Sequence, residues 1–204
     1  MKPLSPHWAD ITAFKVVQSK KNKDSYVVAS GITPSGTVHI GNFREVITVD
    51  LLARALKSLG KNVKFIYSWD NFDTFRKVPK NVPSVEETSK YLRQPIARIP
   101  DPWKKASSYA MGRIKNFEQE LNKVGISPSF LYQEEKYSSG EYAREIRKAL
   151  EHKDQIKEIL NEHRSTPLSE TWLPTSSYCS KCQKDEMEYE RYNGEWSYSY
   201  KCSS

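Results

Sequence analysis

Apolar positions along the chain follow two periods, and the changes between them mark out the elements. Trp8, Ile11, Phe14 and Val17 recur at helical spacing and predict a short N-terminal helix. Tyr26, Val27, Val28, Ala29 and Ser30 form a compact run ending at Gly31, which reads as a buried strand. After a Pro- and Gly-containing loop, Val46, Val49, Leu52, Ala53, Leu56 and Leu59 sit three and four apart, with Gly60 as the stop of a long helix from Asn42. Val63 to Tyr67 gives a second strand. Strand, loop, helix and strand in this order form a βαβ unit with a parallel crossover, so the fold class expected is α/β.

The pattern weakens over residues 74–103, a proline-rich excursion with one short helix expected from Val85 to Leu92. Ala110, Ile114, Phe117, Leu121 and Val124 then predict a second long helix, and Phe130, Leu131 and Tyr132 a third strand. Tyr142, Ile146, Leu150, Ile156 and Leu160 predict one further helix with a charged outer face. Residues 164–177 are rich in Pro, Ser and Thr and mark a boundary, dividing the chain into 1–163 and 164–204. In the tail, Met187, Tyr189 and Arg191 alternate before Asn193-Gly194, and Trp196, Tyr198 and Tyr200 after it. That is the pattern of a hairpin closed by a type I′ turn.

Composition narrows the partners more than the fold. The 204 residues carry 32 basic and 25 acidic side chains, a formal charge of +7, which favours polyanionic partners. Aromatic residues at 12% argue against disorder, although mean hydropathy is low at −0.73. The chain has no apolar run long enough to span a membrane and no secretory leader pattern, so a cytoplasmic location is expected, with no membrane partner. All three cysteines, Cys179, Cys182 and Cys202, lie near the end. Their number and spacing suit an incomplete metal knuckle better than a disulfide framework.

The loop after the first strand carries the candidate chemistry. Pro34, Ser35, Gly36, Thr37, Val38, His39, Ile40, Gly41 and Asn42 lead into the N-terminus of the long helix, where backbone N–H groups and the helix dipole attract phosphate. Gly41 leaves its backbone open to a flat base. His39 can carry positive charge towards a phosphoryl group under displacement. The loop lies beyond the carboxyl end of a parallel strand, where open α/β sheets bind ligands. Neither a dinucleotide fingerprint nor a P-loop is present.

The stretch from Ala29 to Glu45, which contains His39-Ile40-Gly41-Asn42, resembles the H-I-G-H signature region of class I aminoacyl-tRNA synthetases. More narrowly it is similar to the class I lysyl-tRNA synthetases. Phe65 to Asp73, Phe75 to Pro79, Tyr91 to Gln94, Ile99 to Asp101 and Trp172 to Pro174 extend the likeness over nearly the whole chain. The resemblance implies a Rossmann-like nucleotide fold and activation of lysine by ATP, with Mg2+, followed by transfer of the lysyl group to tRNA(Lys).

It also implies roles for individual residues. His39 and Asn42 are the catalytic pair on the ATP phosphates, with residues 34–42 as the ATP-binding loop. Gly31, Thr33 and Asp70 line the lysine pocket. Cys179, Cys182 and Cys202 form a zinc knuckle that lacks a fourth ligand. Asn42 departs from the commoner second His and can donate a hydrogen bond without carrying charge. Asp73, Arg76 and Lys77 read as a solvated charge cluster, and His7, His152 and His163 are given no chemistry.

The family's second, lysine-containing signature loop is absent, so the chain reads as the first part of a longer protein, unable to complete aminoacylation alone. Its first strand is then an exposed edge prone to self-association. Two other functions share some of these residues: a different H-x-G-H nucleotidyltransferase acting on a small cofactor precursor, and a non-catalytic nucleic-acid-binding module built on the knuckle.

Overall fold

The computed structural model describes residues 2–202. Helix α1 (Trp8–Ser19) precedes strand β1 (Ser25–Ile32), helix α2 (Ile40–Ser58) and strand β2 (Asn62–Trp69). The excursion follows, with α3 (Val85–Ser89) and a short 3-10 turn at Ile96–Arg98. Then come α4 (Tyr109–Lys123), β3 (Ser129–Tyr132), α5 (Gln133–Ser138), α6 (Ala143–Glu151) and α7 (Lys153–Glu162). A hairpin of β4 (Met187–Tyr192) and β5 (Tyr198–Cys202) closes the described chain.

Strands β1, β2 and β3 form a parallel sheet in that order, as the βαβ reading requires. One side is packed. Phe65, Tyr67 and Trp69 alternate inward from β2 and meet Val46 and Ala53 of α2 and Ile114, Phe117 and Leu121 of α4. Trp69 and Tyr132 reach the edge of this core and donate to the same oxygen, Glu118 Oε1, at 2.8 and 2.9 Å. Helix α1 buries Ala9, Ala13 and Val17 against Tyr26, Ala55 and Leu56. The residues between these on β1 and β2 face outward: Val27 is 65% exposed and Lys64 is exposed. Among the described residues β1 is an edge of the sheet.

The excursion is irregular in outline but closely stitched. Phe75 N–H donates to Gln94 C=O, Arg93 N–H to Phe75 C=O and Ile96 N–H to Asp73 C=O, each at 2.8–2.9 Å. The buried Asp101 accepts from the amides of Trp103, Lys105 and Ala106. The helix expected to reach Leu92 stops at Ser89: Tyr91 N–H turns to Thr88 C=O and Leu92 N–H to Ser89 C=O, tighter turns that replace the helical ladder, and Arg93 then takes a positive φ of 73°.

Two other expectations need correction. The single helix over 142–160 is two helices, broken at His152, whose ring Nδ1 sits 2.9 Å from Lys148 C=O. A local side chain–backbone contact of this kind competes with the helical ladder. The hairpin turn is also longer than type I′. Tyr192 pairs with Tyr198, and Gly194 alone in the connecting segment has positive φ, at 84°. Trp196 therefore sits in the loop, 63% exposed, with the Arg147 guanidinium 4.8 Å above its ring.

Candidate active site

The loop leaving β1 is fixed at both ends. Pro34 is fully buried, Ser35 N–H donates to Thr33 C=O at 2.8 Å, and Ser35 C=O accepts from Tyr109 Oη at 2.8 Å. Burial pushes the Tyr109 phenol up, so it stays a donor. Val38 packs on the main core, while Ser35, Thr37, His39, Ile40 and Gly41 are exposed. Gly36 has open space around it.

His39 is the N-cap of α2. Its Nδ1 accepts from Gly41 N–H at 3.0 Å, and Asn42 Oδ1 accepts from His39 N–H at 3.1 Å, a reciprocal capping box. The expectation of bare amides at this helix start is thus modified. Gly41 N–H points to the imidazole, and the amides of Asn42 and Phe43 turn to His39 C=O. An accepting Nδ1 places the ring proton on Nε2. The cap uses only the acceptor atoms of these side chains and leaves two donors, His39 Nε2–H and the Asn42 amide NH2, without a hydrogen-bond partner among the described residues. A cap alone is not a sign of chemistry: His7 caps α1 the same way, from Ala9 N–H at 3.3 Å.

Gly41 has a packing role that the sequence did not indicate. A Cβ there would lie 2.9 Å from His39 Cε1, so the bare backbone makes room for the capping ring. Gly31 is tighter still. A Cβ there would lie 2.4 Å from Ser68 C=O, and its N–H donates to Glu45 Oε1 at 3.2 Å.

Thr33 and Asp70, expected to share a pocket with Gly31, open onto two neighbouring hollows. Thr33 lines one of about 460 Å3 beside Ser35, Phe75 and Arg76. Asp70 lines one of about 860 Å3 between β2, α6 and the segment before the hairpin. Asp73, Thr74 and Arg76 stand between the two and border both. Asp73, read from sequence as solvated, accepts from Thr33 Oγ1 at 3.4 Å and pairs with Arg76 at 3.0 Å. Asp70 is exposed and accepts from Ser68 Oγ at 3.0 Å, and Ser68 in turn accepts from Gln133 Nε2 at 2.9 Å. Phe72 stacks on Tyr137 with ring centroids 5.4 Å apart, giving the larger hollow an aromatic wall.

The three thiols come together as expected, with their sulfurs within 4.8 Å of one another. Cys182 and Cys202 Sγ lie 3.6 Å apart. Tetrahedral zinc at about 2.3 Å from each sulfur separates its thiolates by about 3.8 Å, so the set fits such an ion. Cys179 is buried, and amide hydrogen bonds from Cys182 and Lys181, aided by Tyr200 and Cys202, lower its thiol to about 6. Thiolate is the ligand form. Among the described residues no fourth His, Cys, Asp or Glu joins the cluster.

Sequence reading missed Thr74, Tyr178 and Asp185. Tyr178 Oη donates to Phe72 C=O at 2.9 Å, and Thr74 Oγ1 donates to Asp185 Oδ2 at 2.8 Å. More than a hundred residues separate these partners, and no local pattern announces them.

Comparison with known proteins gives the family. The family described as tRNA synthetases class I (K) matches residues 6–204. A protein named lysine–tRNA ligase from Borreliella burgdorferi is 52% identical over 96% of this chain. Proteins of the same name from Treponema pallidum and Thermococcus kodakarensis are 46% and 49% identical over 97% and 96% of it. The chain spans 37–38% of the length of these relatives.

Proposed function

The chain belongs to the class I (K) tRNA synthetases, and from that premise we propose that it supplies the ATP and amino-acid sites of an enzyme that activates lysine and charges tRNA(Lys). The lysine carboxylate attacks the α-phosphorus of ATP, the bond to the bridging oxygen breaks, and pyrophosphate leaves with the electron pair. The lysyl group then passes from the adenylate to the 3′ end of the tRNA.

The observation that carries this reading is the capping box. It holds His39 Nε2–H and the Asn42 amide on the exposed start of α2, at the carboxyl edge of a parallel sheet. Donors fixed before the substrate arrives need no reorganisation as charge builds on the phosphate oxygens. Residues 34–42 form the ATP loop in this reading, with Mg2+ accompanying the nucleotide. Thr33 and Asp70 take lysine from the two hollows that meet at Asp73, with Gly31 setting the close approach of β1 to β2 behind them and Asp70 as the carboxylate for its α-ammonium. Residues 1–163 are the first half of the catalytic domain. Residues 164–204 open an insertion in which Cys179, Cys182 and Cys202 hold zinc. The enzyme works in the cytoplasm.

The test is ATP–pyrophosphate exchange by a chain of the relatives' full length. Exchange should require lysine and fall at least about a hundredfold on His39→Ser, which keeps a capping oxygen but is too short to donate where Nε2–H does, since each preorganised donor to a developing oxyanion is worth that much. Exchange independent of lysine, or unaffected by His39→Ser, overturns the assignment. Residues 1–204 alone should bind ATP without charging tRNA.

A further inference from the structure

We propose that Asp185 is a positioning residue through which metal binding at Cys179, Cys182 and Cys202 orders the rim of the proposed substrate hollows, residues 72–76. The cysteine loop is gripped by that rim from both of its ends. On the near side Tyr178, immediately before Cys179, donates to Phe72 C=O at 2.9 Å and lies 3.0 Å from Thr74 Oγ1. On the far side Asp185, three residues after Cys182, accepts from Thr74 Oγ1 at 2.8 Å and pairs with Arg93 Nε at 2.8 Å. Its own N–H donates to Arg93 C=O at 3.0 Å.

Thr74 is buried and is the residue next to Asp73, whose carboxylate contacts Thr33 and Arg76. A short path therefore runs from sulfur to substrate hollow: Cys182, Asp185, Thr74, Asp73, Thr33. Further contacts seat the same loop on the excursion. Arg98 Nη1 donates to Gln183 Oε1 at 2.7 Å, and Gln94 Nε2 donates to Cys182 C=O at 3.4 Å.

The loop closes on itself through Cys179 N–H to Lys184 C=O and Gln183 N–H to Cys179 C=O, both at 2.9 Å, and through Gln183 Nε2 to Cys179 and Ser180 C=O. It reaches β5 through Ser180 N–H, which donates to Tyr200 Oη at 3.2 Å. A soft divalent ion would bind this loop to Cys202 on β5 and so restrict Asp185, because a site formed only in the ordered state couples metal affinity to local order. Thr74 then gains a fixed acceptor, and the rim loses freedom. This linkage resides in residues 72–202 and is separable from lysine activation: it can hold while exchange activity fails, and the reverse.

The experiment uses residues 1–204 with cobalt(II) as the probe. Thiolate-to-cobalt charge-transfer absorption reports loading, and hydrogen exchange read by mass spectrometry reports the amides of 72–76. Loading the wild-type chain should slow exchange at 72–76 by about tenfold, the worth of one charge-assisted hydrogen bond. Asp185→Ala, which leaves Thr74 without its acceptor, should retain the charge-transfer band and lose most of that slowing. Thr74→Val should behave like Asp185→Ala, and Thr74→Ser, which keeps the hydroxyl, like the wild type. This pair decides the matter should Asp185→Ala lose its helical circular dichroism. A wild-type chain that shows no band, or shows the band without slowing at 72–76, overturns the proposal. So does undiminished slowing in folded Asp185→Ala or Thr74→Val.

Discussion

Tyr109 Oη donates to Ser35 C=O at 2.8 Å across 74 positions of sequence, tying the first turn of α4 to the loop that leaves β1. Tyr109 is fully buried, so this hydrogen bond is shielded from water and the loop is held by the second crossover as well as by its own strand. Tyr109→Phe removes the donor and keeps the ring. It should destabilise the chain by about 1 kcal/mol. It should also speed hydrogen exchange at residues 34–38 and weaken ATP binding measured by calorimetry. An ATP affinity equal to that of the wild type would show that this anchor does not serve the nucleotide.

The two roles of His39 can be separated. His39→Ala loses both the cap and Nε2 and should lower stability by about 1 kcal/mol. His39→Ser keeps a good capping oxygen without the reach of Nε2–H, so urea denaturation should return close to the wild-type midpoint while ATP affinity stays low. Recovery of both together would make the imidazole a cap and nothing more.

Gly31→Ala places a methyl group 2.4 Å from Ser68 C=O, a contact that backbone must yield to. Strand β1 is paired with β2 along its full length, so the shift cannot be local. A loss of about 1–3 kcal/mol is expected from overpacking. Gly36→Ala, with nothing within 4 Å, should be nearly silent. Thermal denaturation of the two variants side by side is the check.

Tyr132 gives a pH signature. Burial, with the hydrogen bond to Glu118 second, pushes its phenol up to about 12. The unfolded chain releases this proton near pH 10. The folded-state preference is therefore fully present below about pH 10 and disappears as pH rises through about 12. The urea midpoint of the wild type should fall more steeply between pH 10 and 12 than that of Tyr132→Phe. Parallel curves would show that Tyr132 is not the group responsible.

Val27 stands 65% exposed on the edge strand β1. A bare edge with an apolar outer face pairs readily with another chain, and a lysine there discourages it. Sedimentation of residues 1–204 should show concentration-dependent association that Val27→Lys reduces. A monomer at all concentrations in both forms would count against it.

The elements with regular period were legible in the sequence: α1, α2, α4, the three parallel strands and the thiol hairpin, because buried faces repeat every 3.6 or 2 residues. His39, Gly41 and Asn42 were legible as well, since a helix start is written in adjacent residues. Other features follow from no local pattern. Gly41's need for a bare Cα comes from the imidazole that folds over it. Asp73 reads as one charge among several until Thr33 arrives from the loop after β1. Tyr178 and Asp185 reach Thr74 only because the whole excursion is folded back on β2. Sequence by itself determined where the chain is helix, strand and cap, for these depend on neighbours a few residues away. Which carboxylates, hydroxyls and thiols face one another was decided by tertiary packing, since hydrogen bonds spanning 40 to 111 positions form only after the sheet and its helices have closed.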